Sequence, residues 1–327
     1  MEYTITHAQL YHKPKIIKFL HDYWGSQHCI VTSDELFTYQ YIIDNSLNFI
    51  IAQDENNEIG ALVGYIKYKK TDSPILAAMW VKNPKIKDQL IGLRVLEHLK
   101  TLGSSLSCVG IHPRTRPAYE FINCHTGQME HYYRLNEQMT HYTIPQINNK
   151  TILPIKKHDT STLTQIQTIS ELQYNQIQQD GLQKDLNYIK YRYINYPFYD
   201  YKIYSITAEK KVISLLILRI IPIKTANVIR IIDFIGQQKY LGTVSKQLNQ
   251  LLQHYNAEYM DFYEHGIQQQ TLNDIGFINN DYTNIIPNYF EPYVLSNVKL
   301  YYASDTNACL FKGDADQDRP NIILIKK

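Results

Sequence analysis

Asp233 stands in an otherwise apolar run, Ile231-Ile232-Asp233-Phe234-Ile235. A carboxylate there either faces a core and needs a partner, or faces a cleft, where a raised pKa would make it a base. Strand alternation leaves both faces open. Glu264 and His265 end a second apolar run close to Asp261, and His112 ends another just before Pro113. Strand ends beside a cleft are where α/β proteins bind ligands, and an imidazole there can take a proton from an ammonium near neutral pH. Arg114 and Arg116 follow His112 and suit a phosphate; a turn histidine and solvated arginines are the plainer readings. Asp314, Asp316 and Asp318 have the odd-position spacing of a calcium loop, but Arg319 stands where that loop needs glycine, so a polar turn neutralised by Arg319 is expected. Cys29, Cys108, Cys124 and Cys309 form no CxxC pair. Free thiols are expected, with no metal and no disulfide framework.

The elements that must position these residues fall into two similar halves. In the first, Tyr3–His7 reads as a strand, His12–Tyr23 as a helix, and Ser33 as the cap of a second helix ending near Ile43. Asn48–Gln53 and Ile59–Tyr68 flank a polar turn and read as a hairpin. Leu76–Val81 is a third strand. Lys87–Thr101 follows as a helix, with Leu90, Leu93, Leu96 and Leu99 at three-residue steps. Leu106–Ile111 is a strand, Arg116–Cys124 a short helix and Met129–Leu135 the closing strand. In the second half, Lys202–Ile206, Val212–Ile221, Val228–Ile235, a helix over Leu241–Tyr255, Tyr259–Tyr263 and a helix over Gln268–Asp274 repeat that order. Between them Ile144–Thr162 carries Pro145, Asn148-Asn149-Lys150 and Pro154, the turn chemistry of a linker. The expected domains are therefore 1–143 and 163–327, joined by 144–162. A chain of 327 residues accommodates two domains of about 150.

Charge narrows the function classes. Lys plus Arg number 33 against 31 for Asp plus Glu, a formal net charge of +2. That offers no concentrated basic surface for nucleic acid. No run of about 18 apolar residues is present to span a membrane. The first fifteen residues lack a charged-then-apolar leader pattern, so a cytoplasmic location is expected. The 28 tyrosines match a base-composition bias toward Ile, Asn, Lys and Tyr.

The junction Trp80-Val81-Lys82-Asn83-Pro84, running into Lys87-Asp88-Gln89-Leu90-Ile91-Gly92-Leu93, resembles the acyl-CoA segment of the GNAT superfamily of N-acyltransferases. There a strand runs into a Q/R-x-x-G-x-G/A loop that opens a helix, whose backbone amides receive a pyrophosphate. Lys87 takes the Gln/Arg position and Gly92 the last small one; Leu90 replaces the middle glycine. Leu272-Asn273-Asp274-Ile275-Gly276-Phe277 is similar to the late helix and Gly-Phe turn of the same superfamily. The resemblance implies an α/β (α+β) chain of two GNAT-like domains, each with a mixed, mostly antiparallel sheet flanked by helices. It implies acetyl-CoA as co-substrate at Val81, Lys87, Gln89, Leu90, Ile91, Gly92 and Leu93, with the second domain on the acceptor side. The superfamily's acid is a tyrosine about four residues before the Gly-Phe turn; Asn123 and Leu272 occupy those positions, and Tyr119 lies one helical turn before the first. With Asp233, Glu264, His265 and His112 it completes the expected catalytic set. Three strings, Tyr191–Tyr199, Ile286–Pro292 and Gly313–Asn321, look like proteins encoded with bacterial surface-polysaccharide enzymes. They imply a small amine acceptor such as a nucleotide-linked amino sugar. A peptidoglycan-bridge aminoacyl transferase and a non-catalytic sugar- or protein-binding relative are the rival readings.

Overall fold

The computed structural model describes residues 2–321. The chain divides into two compact units. Residues 2–127, with 301–306 and 315–321, form the first; residues 128–300 with 307–314 form the second.

The first unit contains β1 (Thr4–His7), α1 (Lys13–Leu20), α2 (Asp34–Tyr41), β2 (Phe49–Gln53), β3 (Ile59–Lys67), β4 (Pro74–Lys82), α3 (Ile91–Lys100), β5 (Ser105–Val109), α4 (Arg116–Phe121) and β6 (His125–Gln128). Its seven-stranded sheet runs β1-β2-β3-β4-β5, then the strand Tyr301–Ser304, then β6. β4 and β5 pair in parallel, with α3 as their crossover. Ser33 caps α2 as expected, its Oγ accepting the Leu36 amide behind an acidic first turn of Asp34 and Glu35. Ile91, Val95, Leu96 and Leu99 bury one face of α3 against Ile75, Ala77 and Leu106. That helix begins at Ile91 and not at Lys87, because Asn83 and Asp88 side chains accept the amides of Lys85 and Leu90 and hold the preceding residues in turns.

The second unit contains β7 (Glu130–Leu135), β8 (Thr162–Ile166), β9 (Tyr201–Ala208), β10 (Lys211–Ile223), β11 (Ala226–Ile235), α5 (Ser245–His254), β12 (Ala257–His265), α6 (Gln269–Asp274) and β13 (Ile278–Asn279). Its sheet runs β8-β9-β10-β11-β12-β7-β13, and the two-residue strand Leu310–Phe311 also pairs with β12. Here too a parallel pair, β11 with β12, is spanned by the main helix, α5. Leu248, Leu252, Met260, Phe262 and Phe277 fill the core beneath it.

The two-domain mixed α/β architecture is the one expected; its boundaries are not. β7 pairs with β12 from Leu135↔Tyr259 to Glu130↔Glu264 and so belongs to the second unit, whereas Tyr301–Ser304 completes the first. Nor is 144–162 a free tether. The buried Glu258 carboxylate accepts the Thr143 and Ile144 amides, and Asn284 Oδ1 accepts those of Asn148 and Asn149.

Candidate functional site

In the first unit the parallel pairing of β4 with β5 stops at Leu76↔Ser107, although β4 runs on to Lys82 and stays paired with β3. Just past that point β4 bulges, two residues opposing one on β3 between Val63↔Trp80 and Tyr65↔Ala77. Such bulges re-aim a strand where pairing ends. β5 meanwhile pairs with Tyr302–Ser304 on its other edge. Among the described residues no strand covers the edge of β4 facing β5 beyond Leu76, and Ala78 and Trp80 are half-buried there. Parted strand ends of this kind offer backbone donors and acceptors to a ligand.

That edge leads directly to the start of α3. Leu90 is the N-cap and gives no side-chain cap; it is 62% exposed. Among the described residues the amides of Ile91, Gly92 and Leu93 have no acceptor, so the positive end of the helix dipole is open. Ile91 and Gly92 are buried, Leu93 half-buried, Lys87 exposed, and Gln89 Oε1 accepts from Lys82 Nζ at 3.0 Å. Val81 is buried and presents only backbone. Gly92 does not face the open end: a Cβ there would meet the Trp80 ring at 3.6 Å, an ordinary contact, and its carbonyl accepts Trp80 Nε1 at 2.8 Å. Asp88, which its residue type and spacing do not single out, lies at the same turn. Its carboxylate accepts the Leu90 amide and pairs with Arg94, placing a compensated negative charge beside the open amides.

Tyr119 lies on α4 with its ring edge against Trp80, centroids 5.6 Å apart, and its hydroxyl hydrogen-bonded to the Cys108 thiol. Burial keeps the phenol well above its usual pKa and pushes Cys108 up to about 12. His112 is exposed just beyond β5, its Nδ1 accepting the Arg114 amide. Asp316 takes the Arg319 guanidinium at 2.8 Å, as the neutralised-turn reading expects, and the Tyr41 hydroxyl at 3.3 Å, all within the first unit. Its Oδ1 is buried with no hydrogen-bond partner among the described residues.

In the second unit Asp233 faces the interior. It is fully buried, and its Oδ2 accepts Lys184 Nζ at 2.6 Å and the Tyr193 hydroxyl at 2.7 Å. Lys184 also pairs with Asp314 at 2.8 Å. Burial and the second acid raise Asp233, while the two carboxylates outweigh burial and raise Lys184. Asp233 is thus one arm of a buried cluster, not the cleft-facing base its strand position allowed. Glu264 is buried at the end of β12 and accepts the Ile267 amide; burial pushes it up to about 8. His265 is half-buried and lowered, chiefly by burial. Asp261 is held by Arg230 at 2.5 Å, with His131 Nε2 3.3 Å away. Burial opposes ionisation, but the guanidinium holds the carboxyl down to about 2. Asp233 and Glu264 are thus buried carboxylates with partners inside the second unit, and in the first unit Tyr119 and Gly92 both contact Trp80.

No protein-family model and no curated protein matches the sequence. Solved structures do share the fold. A GCN5-related N-acetyltransferase from Anabaena variabilis aligns over 93% of this chain and 72% of its own, with a TM-score of 0.59 at 10% identity. A GCN5-related N-acetyltransferase from Kribbella flavida aligns over 93% and 70%, with 0.55 at 7%. A probable N-acyltransferase from Enterococcus faecalis gives 0.54 at 8%, over 93% and 72%.

Proposed function

We propose that this chain is an N-acyltransferase that moves an acetyl group from acetyl-CoA to the amine of a small molecule, with the donor held by the first unit. The observation that carries this reading is the junction of β4 and α3, a parted strand edge leading into three amides without an acceptor. The donor's amide-bearing arm lies along β4 from Ala78 to Val81. Its pyrophosphate meets the amides of Ile91, Gly92 and Leu93, beside Gln89, Leu90 and Lys87. The acceptor nitrogen attacks the thioester carbonyl, the C–N bond forms and the C–S bond breaks. His112 takes the proton of the ammonium, and Tyr119, which burial keeps protonated, supplies one to the departing thiolate. We place the acceptor among nucleotide-linked amino sugars on the likeness of three strings to proteins of surface-polysaccharide clusters, and the reaction in the cytoplasm. Among the described residues no helix is long and apolar enough to cross a membrane.

The test is release of free CoA thiol from acetyl-CoA across a panel of amino sugars. Acceptor-dependent release is expected, lost in Leu90→Glu and reduced about a hundredfold in Tyr119→Phe. A non-catalytic binding protein is the second reading, favoured by the Asp88 carboxylate at the loop. Its signature is sugar binding with no CoA release.

A further inference from the structure

The second unit has the same parted strands, but there they are filled. β11 and β12 pair in parallel from Asn227↔Ala257 to Ile231↔Phe262, and β11 bulges at Ile232. β12 continues to His265 with β7 on its other edge. On the edge that β11 has left, Leu310 pairs with His265 and Phe311 with Glu264. The next residues close the gap. The Lys312 amide donates to the Tyr263 carbonyl at 3.2 Å, and the Gly313 amide to the Ile232 carbonyl at 2.7 Å, so both lips are bonded to one segment. Gly313 is required there, since a Cβ would lie 2.9 Å from the Ile232 carbonyl oxygen and 2.6 Å from the Tyr193 hydroxyl.

Both ends of the segment are fastened. Asp314 Oδ1 pairs with the buried Lys184, and Asp314 Oδ2 accepts the Phe311 amide at 2.7 Å. At the other end the Cys309 amide donates to the Asp180 carbonyl. The helix start is filled as well. Asp159 accepts the Lys246 and Gln247 amides at 2.9 and 3.0 Å, and ahead of α5 Asp180 Oδ2 accepts the Gln238 amide at 2.8 Å. Nothing equivalent covers Ile91, Gly92 and Leu93 among the described residues.

We infer that Cys309–Asp314 is a built-in strap that permanently occupies the ligand slot of the second unit, latched by Lys184, so that the protein carries one acyl-donor site, that of the first unit. The strap rests on the geometry above; the donor count also rests on the proposed function. An extended peptide offers the same amide groups as an amide-bearing ligand arm. Being part of the chain, it competes at a high effective concentration. A free ligand would have to break both lip bonds and leave Lys184 without Asp314.

Hydrogen exchange read by mass spectrometry on the full chain, with and without acetyl-CoA, tests this. Peptides covering 309–314 are expected to exchange as slowly as β11 and β12 and to be unchanged by acetyl-CoA, while peptides covering 83–93 gain protection. Rapid exchange of 309–314 in the free protein, or its loss of protection on adding acetyl-CoA, overturns the strap. Lys184→Met removes the cation that the buried Asp233 and Asp314 carboxylates share. It is expected to release 309–314 while peptides of α3 stay protected, and Lys184→Arg is expected to retain the strap. Unchanged protection in Lys184→Met overturns the latch. If that variant does not fold, Gly313→Ala gives the same readout through its clash with the Ile232 carbonyl. A protected strap with no response at 83–93 overturns the donor site alone.

Discussion

The Asp88 carboxylate holds the Leu90 amide and pairs with Arg94, so a pyrophosphate bound as proposed would lie beside a carboxylate already compensated by a guanidinium. Asp88→Asn is expected to tighten acetyl-CoA about two- to fivefold, read by titration at fixed low salt; a weaker affinity would place the anion elsewhere. Gly92 packs against Trp80, so Gly92→Ala is expected to leave the affinity unchanged. The exposed Leu90 makes Leu90→Glu the cleaner charge probe. Glu264 shows up in pH dependence. Its folded pKa of about 8 lies above the ordinary 4.5, so the folded state binds more protons between those values. The Glu264 contribution to stability is therefore full below about pH 4.5 and is lost, by a few kcal/mol, as pH rises toward 8. Asp261, depressed to about 2, works in the opposite sense and withdraws stability only as pH falls below its ordinary 3.8. Urea unfolding at pH 5 and pH 8 should show the Glu264 decline, flattened in Glu264→Gln. An equal decline in that variant would assign it to another group.

At the scale of elements, most of the fold was legible. Three-residue leucine steps exposed α3, and apolar runs between polar turns exposed the hairpins, because burial of one face sets those periods. What stayed hidden was where elements stop. The Asx turns before α3 cost it four residues of expected length, and a single π-helical turn, His21–Gly25, follows α1 where a continuous helix was read. The Asp-rich string does not act as one turn: Asp316 takes Arg319 as expected, whereas Asp314 goes to Lys184. Packing also accounts for much of the other two strings. Arg192 lies 4.8 to 5.4 Å from the ring centres of Tyr196, Tyr193 and Tyr201, and the Pro287 and Asn288 carbonyls accept Arg230. Arg230 bridges β11 and β12 through Asp261. Arg230→Met would strand that buried carboxylate and cost about 3–5 kcal/mol in urea unfolding, whereas a loss below 1 kcal/mol would show the pair to be dispensable.

For the whole molecule, residue order along the chain concealed which strand joins which sheet. Met129–Leu135 follows α4 in sequence, and proximity in sequence is the ordinary guide to pairing. No local signal distinguishes it from Tyr301–Ser304, which takes the place beside β5. A fragment of residues 1–143 would lack that strand and leave β7 without β12. It is expected to aggregate or unfold without cooperativity, and a monodisperse fragment with a sharp transition would contradict the exchange. Both units have parted parallel strands, and in the second the segment Cys309–Asp314 is bonded to both lips. Calorimetric titration of the full-length protein with acetyl-CoA tests the central claim most directly. One equivalent bound at micromolar affinity, abolished by Leu90→Glu and retained in Gly92→Ala, is the predicted result. Two equivalents, or no heat up to millimolar acetyl-CoA, would contradict it.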